Sequence, residues 1–305
     1  MSDLGKKLSL SRVRHPEKIK KPEVIKIKKK PAWIRVKAPN SEGYRKTKRI
    51  IKDNNLVTVC EEAGCPNVGE CWSIGHATMM IMGDICTRGC GFCNVATGRP
   101  LQLDPFEPGR VAHAVKRLEL THVVITSVDR DDLPDGGANH IAQTIRAVRH
   151  SSPRTTIEVL TPDFLKCDSE ALEIVVEAKP DVFNHNLETS ENFFPEVVTT
   201  HDFDDRVNTA RIVKKVGLDL CCGGLFGMGE SMQDRVDLAF ALSQLDVDSV
   251  PVNFLDPRPG TAFHGKPNPL TPNDCLRALA MMRFVIPSVE IRIAGGRETT
   301  LKHLQ

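Results

Sequence analysis

Six of the ten cysteines in this 305-residue chain fall between residues 60 and 93. Thiols packed this densely must either cross-link or close around metal, and the choice dictates the local chain path. Disulfides persist in oxidising compartments. The N-terminus lacks the apolar core of a secretory leader, and no stretch nears the ~18 consecutive apolar residues of a membrane span. A cytoplasmic protein with reduced thiols is therefore expected, its cysteine cluster serving metal binding or catalysis.

The cluster divides in two. CEEAGCPNVGEC sets Cys60, Cys65 and Cys71 at C-x4-C-x5-C spacing, and CTRGCGFC sets Cys86, Cys90 and Cys93 at C-x3-C-x2-C spacing. Structural zinc closes with four Cys or His ligands in paired short spacings. Each triplet offers three, and the nearby His76 could complete only one of them. Iron–sulfur cubanes are held by thiolates on short irregular loops, and a three-cysteine loop leaves one iron open to a substrate or cofactor. Gly89 and Gly91 give the second loop the backbone freedom to wrap closely. Iron–sulfur is the favoured reading, with zinc as its alternative.

CTRGCGFC resembles the C-x3-C-x-aromatic-C loop of the radical S-adenosylmethionine enzymes. The resemblance implies a [4Fe–4S] cluster on Cys86, Cys90 and Cys93 whose fourth iron chelates S-adenosylmethionine, with Phe92 near the adenine. It also implies reductive cleavage of the sulfonium to a 5′-deoxyadenosyl radical, which takes hydrogen from an unactivated carbon while the protein orients the reactants and excludes water.

The upstream triplet narrows the likeness. VCEEAGCPNVGECW, HATMMIMGDICTRGCGFCNVATGRP, VVITSVDRDDLPDGGANH and PDVFNHNLET resemble lipoyl synthase, from about residue 28 to about residue 190. By that resemblance Cys60, Cys65 and Cys71 bind an auxiliary [4Fe–4S] cluster that is consumed as the sulfur donor. Two sulfurs are then inserted at C6 and C8 of an octanoyl chain, amide-linked to a lysine of a lipoyl carrier domain. The implied partners are octanoylated lipoyl carrier domains (2-oxoacid dehydrogenase E2 subunits and the glycine cleavage H protein) and an electron donor protein.

Short β-branched and apolar runs recur at Met79–Met82, His122–Ser127, Thr156–Leu160, Val182–Leu187, Leu218–Leu225, Ser249–Leu255 and Glu290–Ile293. Helical patterns such as AVKRLEL, ANHIAQTIRAVR and DDRVNTARIVKKV separate them. Regular alternation reads as a parallel barrel or a doubly wound sheet. The family resemblance favours an α/β fold of the first kind, a partial (β/α)6 TIM-type barrel of the radical SAM family. In a barrel the functional loops follow the C-terminal ends of strands, and the second triplet directly follows the first of these runs. TSVDRDD after the second run brings Thr126 and Ser127, and NHNLE in the fourth brings Asn184, Asn186 and Glu188. These five are read by resemblance as contacts to S-adenosylmethionine, the alternative being hydrogen bonds inside the barrel. The glycines of CCGGLFGMGE mark either a close approach to a cofactor or a turn. His140, Cys167, Cys275 and Met282 read as ordinary structural residues.

After about residue 200 the likeness changes. GLDLCCGGLFGMGESMQDRVDLAFALSQLDVDSVPVNFLDPRPGT and CLRALAMMRFVIPSVEIRIAGGRE resemble the C-terminal part of biotin synthase. Lipoyl synthases end with an Arg-Ser-Ser-type motif whose serine completes the auxiliary cluster, and no such motif occurs here. Biotin synthase holds a sulfur-donating [2Fe–2S] cluster with three cysteines and an arginine; Cys221 and Arg292 match two of those positions. The alternatives to lipoyl synthesis are therefore biotin-synthase-like sulfur insertion into dethiobiotin, or a non-catalytic hybrid iron–sulfur protein. The biotin synthase pattern would continue beyond Gln305 into a last strand and helix, so an uncovered barrel edge and reduced stability are expected.

Charge is segregated. Residues 1–52 hold 18 Lys/Arg against 4 Asp/Glu, whereas the whole chain has a net charge of only +2. A basic arm on an acidic body suits an acidic partner and would steer carrier domains, although a merely solvated tail is the alternative. Prolines at 16, 22, 31 and 39 break any long amphipathic helix in it, which weakens the membrane-surface and mitochondrial-transit readings; neither a membrane nor a nucleic acid is expected as a partner. The expected organisation is a basic extension over 1–55, an auxiliary cluster segment over 56–75, and the barrel over 76–305.

Overall fold

Strands form where the β-branched runs lie. In the computed structural model, which describes residues 41–165, 167, 170–266 and 270–301, they are β1 (Val57–Thr58), β2 (Thr78–Ile81), β3 (Ile85–Cys86), β4 (Ala96–Thr97), β5 (His122–Ser127), β6 (Thr156–Leu160), β7 (Val182–Asn184), β8 (Asp219–Cys221), β9 (Gly224–Phe226), β10 (Ser249–Phe254) and β11 (Glu290–Ile293). The basic stretch before residue 41 lies outside the described residues. The main sheet runs β1-β2-β5-β6-β7-β8-β10-β11, with β9 continuing β8 alongside β10. Every neighbour from β2 onward is parallel; only β1 is antiparallel, paired to β2. This is the α/β arrangement of a partial TIM-type barrel, with β11 as a strand beyond the sixth unit.

Side chains alternate across these strands, so each contributes to two different surfaces. Val123, Ile125, Ile157, Val159, Phe183 and Leu220 are buried on the apolar face. Each contributes about 1.5–3 kcal/mol by leaving water. The register places Thr126, Leu160, Asn184 and Cys221 at one level of the opposite face, with Glu158 two residues before Leu160. Crossover helices start on local signals: capping boxes at Asp202/Asp205, Ser231/Asp234 and Thr271/Asp274 open helices Phe203–Lys215, Met232–Gln244 and Pro272–Val285. His140 is structural, its ring bonded to Glu107 at 2.7 Å. Cys275 and Met282 are buried in the core.

Two runs read as continuous are interrupted. The ladder of β7 stops at Asn184, and Glu188 takes a left-handed φ of 71° while bridging Gly224. The Leu218–Leu225 run breaks at Cys222–Gly223, opposite Pro251 of β10. Proline has no N–H to donate to the ladder. Gly223 comes so close that a Cβ there would lie 2.0 Å from the Pro251 carbonyl oxygen. The approach these glycines serve is thus to a neighbouring strand. Farther on, Gly227, Met228 and Gly229 turn their N–H groups onto the Glu230 carboxylate at 2.8–3.2 Å, making the rest of the motif a turn closed by its own side chain.

The expected bare edge at β11 has a neighbour. Helix Glu42–Asp53 seats Ile50 and Ile51 in the core and donates from Thr47 to the Trp72 carbonyl at 2.9 Å, so the end of the expected extension is part of the folded body. Helix Val68–Ser73 then reaches the far side of the sheet. Asn67 Nδ2 donates to the Ala294 carbonyl at 2.8 Å, and Glu70 pairs with Arg297. The first cysteine segment therefore joins the two ends of the sheet.

Candidate functional site

The loop after β2 carries Cys86, Cys90 and Cys93, and it is clipped at its base where Cys86 of β3 pairs with Thr97 of β4. Arg88 anchors it. This residue is 5% exposed, and its guanidinium donates to both Asp131 oxygens at 3.0 and 2.8 Å and to Asp163 at 2.5 Å. Thr87 adds two bonds to the Asp129 carbonyl, at 3.1 Å from its N–H and 3.0 Å from its hydroxyl. The loop is thereby tied to the chain that leaves β5 and β6. On its other side Gly91 donates to the Val197 carbonyl and accepts from the Ala262 N–H, at 3.1 and 3.0 Å. A Cβ at Gly91 would press on that Val197 oxygen at 3.3 Å.

Thiolate ligands need donors around them, and Cys86 Sγ accepts from the backbone N–H groups of Asp129 at 3.3 Å and Arg88 at 3.4 Å. Without metal the Cys86 and Cys90 thiols are held protonated. Burial, then the Asp129 carboxylate, raises Cys86 well above its ordinary range, and burial pushes Cys90 up to about 12. Cationic iron reverses this balance, because ligation removes the proton. Phe92 is half-buried against the core between Cys90 and Cys93.

Cys60 and Cys71 lie on the short helices Val59–Glu62 and Val68–Ser73, with Cys65 in the turn between them. The Cys65 N–H closes that turn on the Cys60 carbonyl at 3.0 Å, with Gly64 at φ 63° just before it. Burial raises Cys60 and Cys65. Donors oppose it: the Thr78 N–H and the Trp72 indole at Cys60, and the Asn67 N–H at Cys65. Trp72 Nε1 is fully buried and makes no well-aligned hydrogen bond among the described residues; the Cys60 thiol is the acceptor group near it. A buried indole N–H near a sulfur suits a thiolate ligand. Among the described residues no three His, Cys, Asp or Glu side chains converge closely enough to hold a metal ion. Each segment offers three free, half-buried thiols, the donor type that iron–sulfur clusters take. The two segments also touch: Asn94, directly after Cys93, donates to the Glu62 carbonyl at 2.9 Å.

Strand ends β5, β6 and β7 present polar atoms that the protein leaves open. Ser127 Oγ, Thr161 Oγ1 and Asn184 Oδ1 are buried without a hydrogen-bond partner among the described residues. Neither ring nitrogen of His185 makes a well-aligned hydrogen bond among the described residues. Buried polar atoms are normally satisfied, so a row of open ones at strand C-termini marks a place for a polar ligand. Thr126 is buried beside Ser127. Asn186 is already engaged, accepting from the Gly223 N–H at 3.0 Å. Glu188 is half-buried, raised by burial and opposed by the nearby Arg206 charge. Arg206 donates to the Asn186 carbonyl at 2.7 Å and to His201 at 2.9 Å.

Asn184 turns its amide inward, donating to Glu158 Oε1 at 2.7 Å. Glu158 also meets His122 at 2.9 Å and Arg292 at 3.3 Å, and Arg292 Nη2 donates to Cys221 Sγ at 2.8 Å. Burial alone would raise Glu158, but His122, Arg292 and Asn184 outweigh it and hold the carboxyl at about 2. Cys221 and Arg292, paired by sequence, therefore do meet. Arg88, Arg206 and Glu158 went unread in the sequence because isolated charged residues carry no spacing signal; the one hint was a glutamate inside the apolar run TIEVL.

Comparison with known families matches residues 80–242 to the Radical SAM superfamily and residues 251–305 to the Biotin and Thiamin Synthesis associated domain. Among solved structures the chain is similar to methylornithine synthase (PylB), at TM-score 0.58 and 17% identity over 81% of this chain and 69% of that one. It is similar to Streptococcus suis SuiB bound to S-adenosylmethionine, at 0.59 and 14% over 78% and 56%, and to the FeFe-hydrogenase maturase HydG from Carboxydothermus hydrogenoformans, at 0.58 and 15% over 82% and 65%. At these identities the likeness shows the fold. Superfamily members use a [4Fe–4S] cluster and S-adenosylmethionine, and the loop of Cys86, Cys90 and Cys93 falls inside the matched region. With its parallel barrel and an extended family match over residues 80–242, this chain belongs to the Radical SAM superfamily.

Proposed function

We propose that this chain carries out lipoyl synthase chemistry, inserting two sulfurs into an octanoyl chain borne by a lipoyl carrier domain. The observation that carries this reading is a second cysteine triplet seated beside the radical-cluster loop and joined to it by the Asn94–Glu62 bond. When bound, the cluster on Cys86, Cys90 and Cys93 and S-adenosylmethionine supply hydrogen abstraction, and the cluster on Cys60, Cys65 and Cys71 supplies sulfur.

The chain's own residues bind and orient. Arg88, locked by Asp131 and Asp163, fixes the loop that bears the thiolates. Ser127 and Thr161 offer open hydroxyls at the mouth. Arg206 offers a cation next to Glu188, suited to a ligand carrying both amino and carboxylate groups. His185 and His201 are held neutral, burial then Arg206 pushing them down to about 3 and about 4, so they add no positive charge near neutral pH. Electrostatic steering of acidic carrier domains by the basic segment before residue 53 belongs to the same proposal. Carrier binding that is insensitive to salt, or that is unchanged when residues 1–30 are deleted, would overturn the steering idea.

The Cys221–Arg292 contact and the match to the Biotin and Thiamin Synthesis associated domain favour a second reading, biotin-synthase-like sulfur insertion. Its [2Fe–2S] cluster does not fit the residues present: Glu158 occupies the arginine, and the two further cysteines are absent from β5 and β6. The test is mass spectrometry of an octanoylated carrier peptide after anaerobic incubation with reductant and S-adenosylmethionine. A product carrying two added sulfurs is expected; an unchanged peptide together with thiolated dethiobiotin would overturn lipoyl synthesis.

A further inference from the structure

The auxiliary triplet supplies three thiols, and the Arg-Ser-Ser motif is absent from the chain. The fold brings a different group to it. The turn after β11 is fixed from several sides: Gly295 donates to Asn253 Oδ1 at 2.7 Å, and Phe254 donates to the Gly295 carbonyl at 2.9 Å. Gly296, at φ 76°, lies so close to Phe254 that a Cβ would fall 1.8 Å from its carbonyl oxygen. Asn67 holds the same turn through the Ala294 carbonyl at 2.8 Å. Arg297 follows directly. Its guanidinium pairs with Glu70, the residue directly before Cys71, and is thereby placed beside the Cys71 thiol.

We propose that Arg297 is a positioning residue for the auxiliary cluster, donating a charge-assisted hydrogen bond to the Cys71 thiolate and thereby setting that cluster's reduction potential. This rests on the reading of Cys60, Cys65 and Cys71 as cluster ligands. Arginine keeps its charge at any working pH. A protonated guanidinium has five donors and no lone pair, so it serves the sulfur and does not ligate iron. Hydrogen bonds to cluster sulfurs and nearby positive charge stabilise the reduced, more negative state and raise the potential. The C-terminal turn thus contributes to a cluster whose ligands all lie before residue 72.

The experiment uses the full chain with Cys86, Cys90 and Cys93 replaced by Ala, so that only the auxiliary cluster forms, and follows its potential by spectroelectrochemical titration. Arg297→Ala is expected to move the potential more negative, and Arg297→Lys by less. Glu70→Gln, which removes a negative charge beside the same sulfur, is expected to move it more positive. A merely structural tie between the two segments is broken by either substitution and would not separate their directions. Shifts of one sign, or no shift with iron retained, overturn the role of Arg297 and leave the cluster reading standing. If Arg297→Ala loses the cluster, the opposed shifts of Arg297→Lys and Glu70→Gln decide. A triple-alanine parent that binds no iron–sulfur cluster overturns both the auxiliary-site reading and the proposal.

Discussion

Replacing Glu158 by alanine removes the centre of the polar network inside the barrel. The side chain is 2% exposed and bonded to His122, Asn184 and Arg292. Its carboxyl stands at about 2 in place of an ordinary 4.5. At 1.36 kcal/mol per pH unit, that gap corresponds to roughly 3 kcal/mol of folded-state stabilisation. Removing the carboxylate also leaves Arg292 without its ion-pair partner, a smaller cost because that side chain is 35% exposed and screened by water. Urea unfolding of anaerobically purified protein at pH 7 should therefore show Glu158→Ala less stable by about 3 kcal/mol. Adding Arg292→Ala should cost less than the sum of the single changes, because the stranded cation is gone. The sign with pH follows from the lowered carboxyl. Its contribution is complete above pH 4.5 and fades as pH falls toward about 2, a window to be followed on cluster-free chain. A loss below about 1 kcal/mol, or strict additivity, would refute the network as described.

Three further outcomes are expected. Arg88→Lys should destabilise the cysteine loop nearly as much as Arg88→Met, since an ammonium cannot serve Asp131 with a fork and reach Asp163 too; iron content after reconstitution is the readout. His185, held down at about 3, binds no proton while the unfolded chain does below 6.5, so stability falls as pH drops through that value. His185→Gln should make the decline between pH 6.5 and 5.5 shallower by about 1 kcal/mol in denaturant titrations. Gly223→Ala should prevent stable folding, because its Cβ would meet the Pro251 carbonyl at 2.0 Å; a circular dichroism melt like that of the parent would contradict the packing.

The barrel was legible because its strands are apolar runs of fixed period separated by amphipathic helices, and all seven runs became strands of the main sheet. The cysteine triplets were legible because spacing encodes a loop. What stayed hidden depends on contacts between distant residues. Glu158 and Arg292 are 134 positions apart, and only the closing of the sheet brings them together. The break at Gly223 needed knowledge of Pro251 on the next strand. The edge after β11 looked bare because nothing in the spacing of Cys60, Cys65 and Cys71 says that Asn67 and Glu70 cross to Ala294 and Arg297.

Iron and sulfide analysis of three anaerobically reconstituted proteins tests most directly whether two clusters sit on two triplets. The unaltered chain should bind about eight irons, and alanine replacement of either triplet should leave about four. No more than about four irons in the unaltered chain, unchanged by replacing Cys60, Cys65 and Cys71, would contradict it.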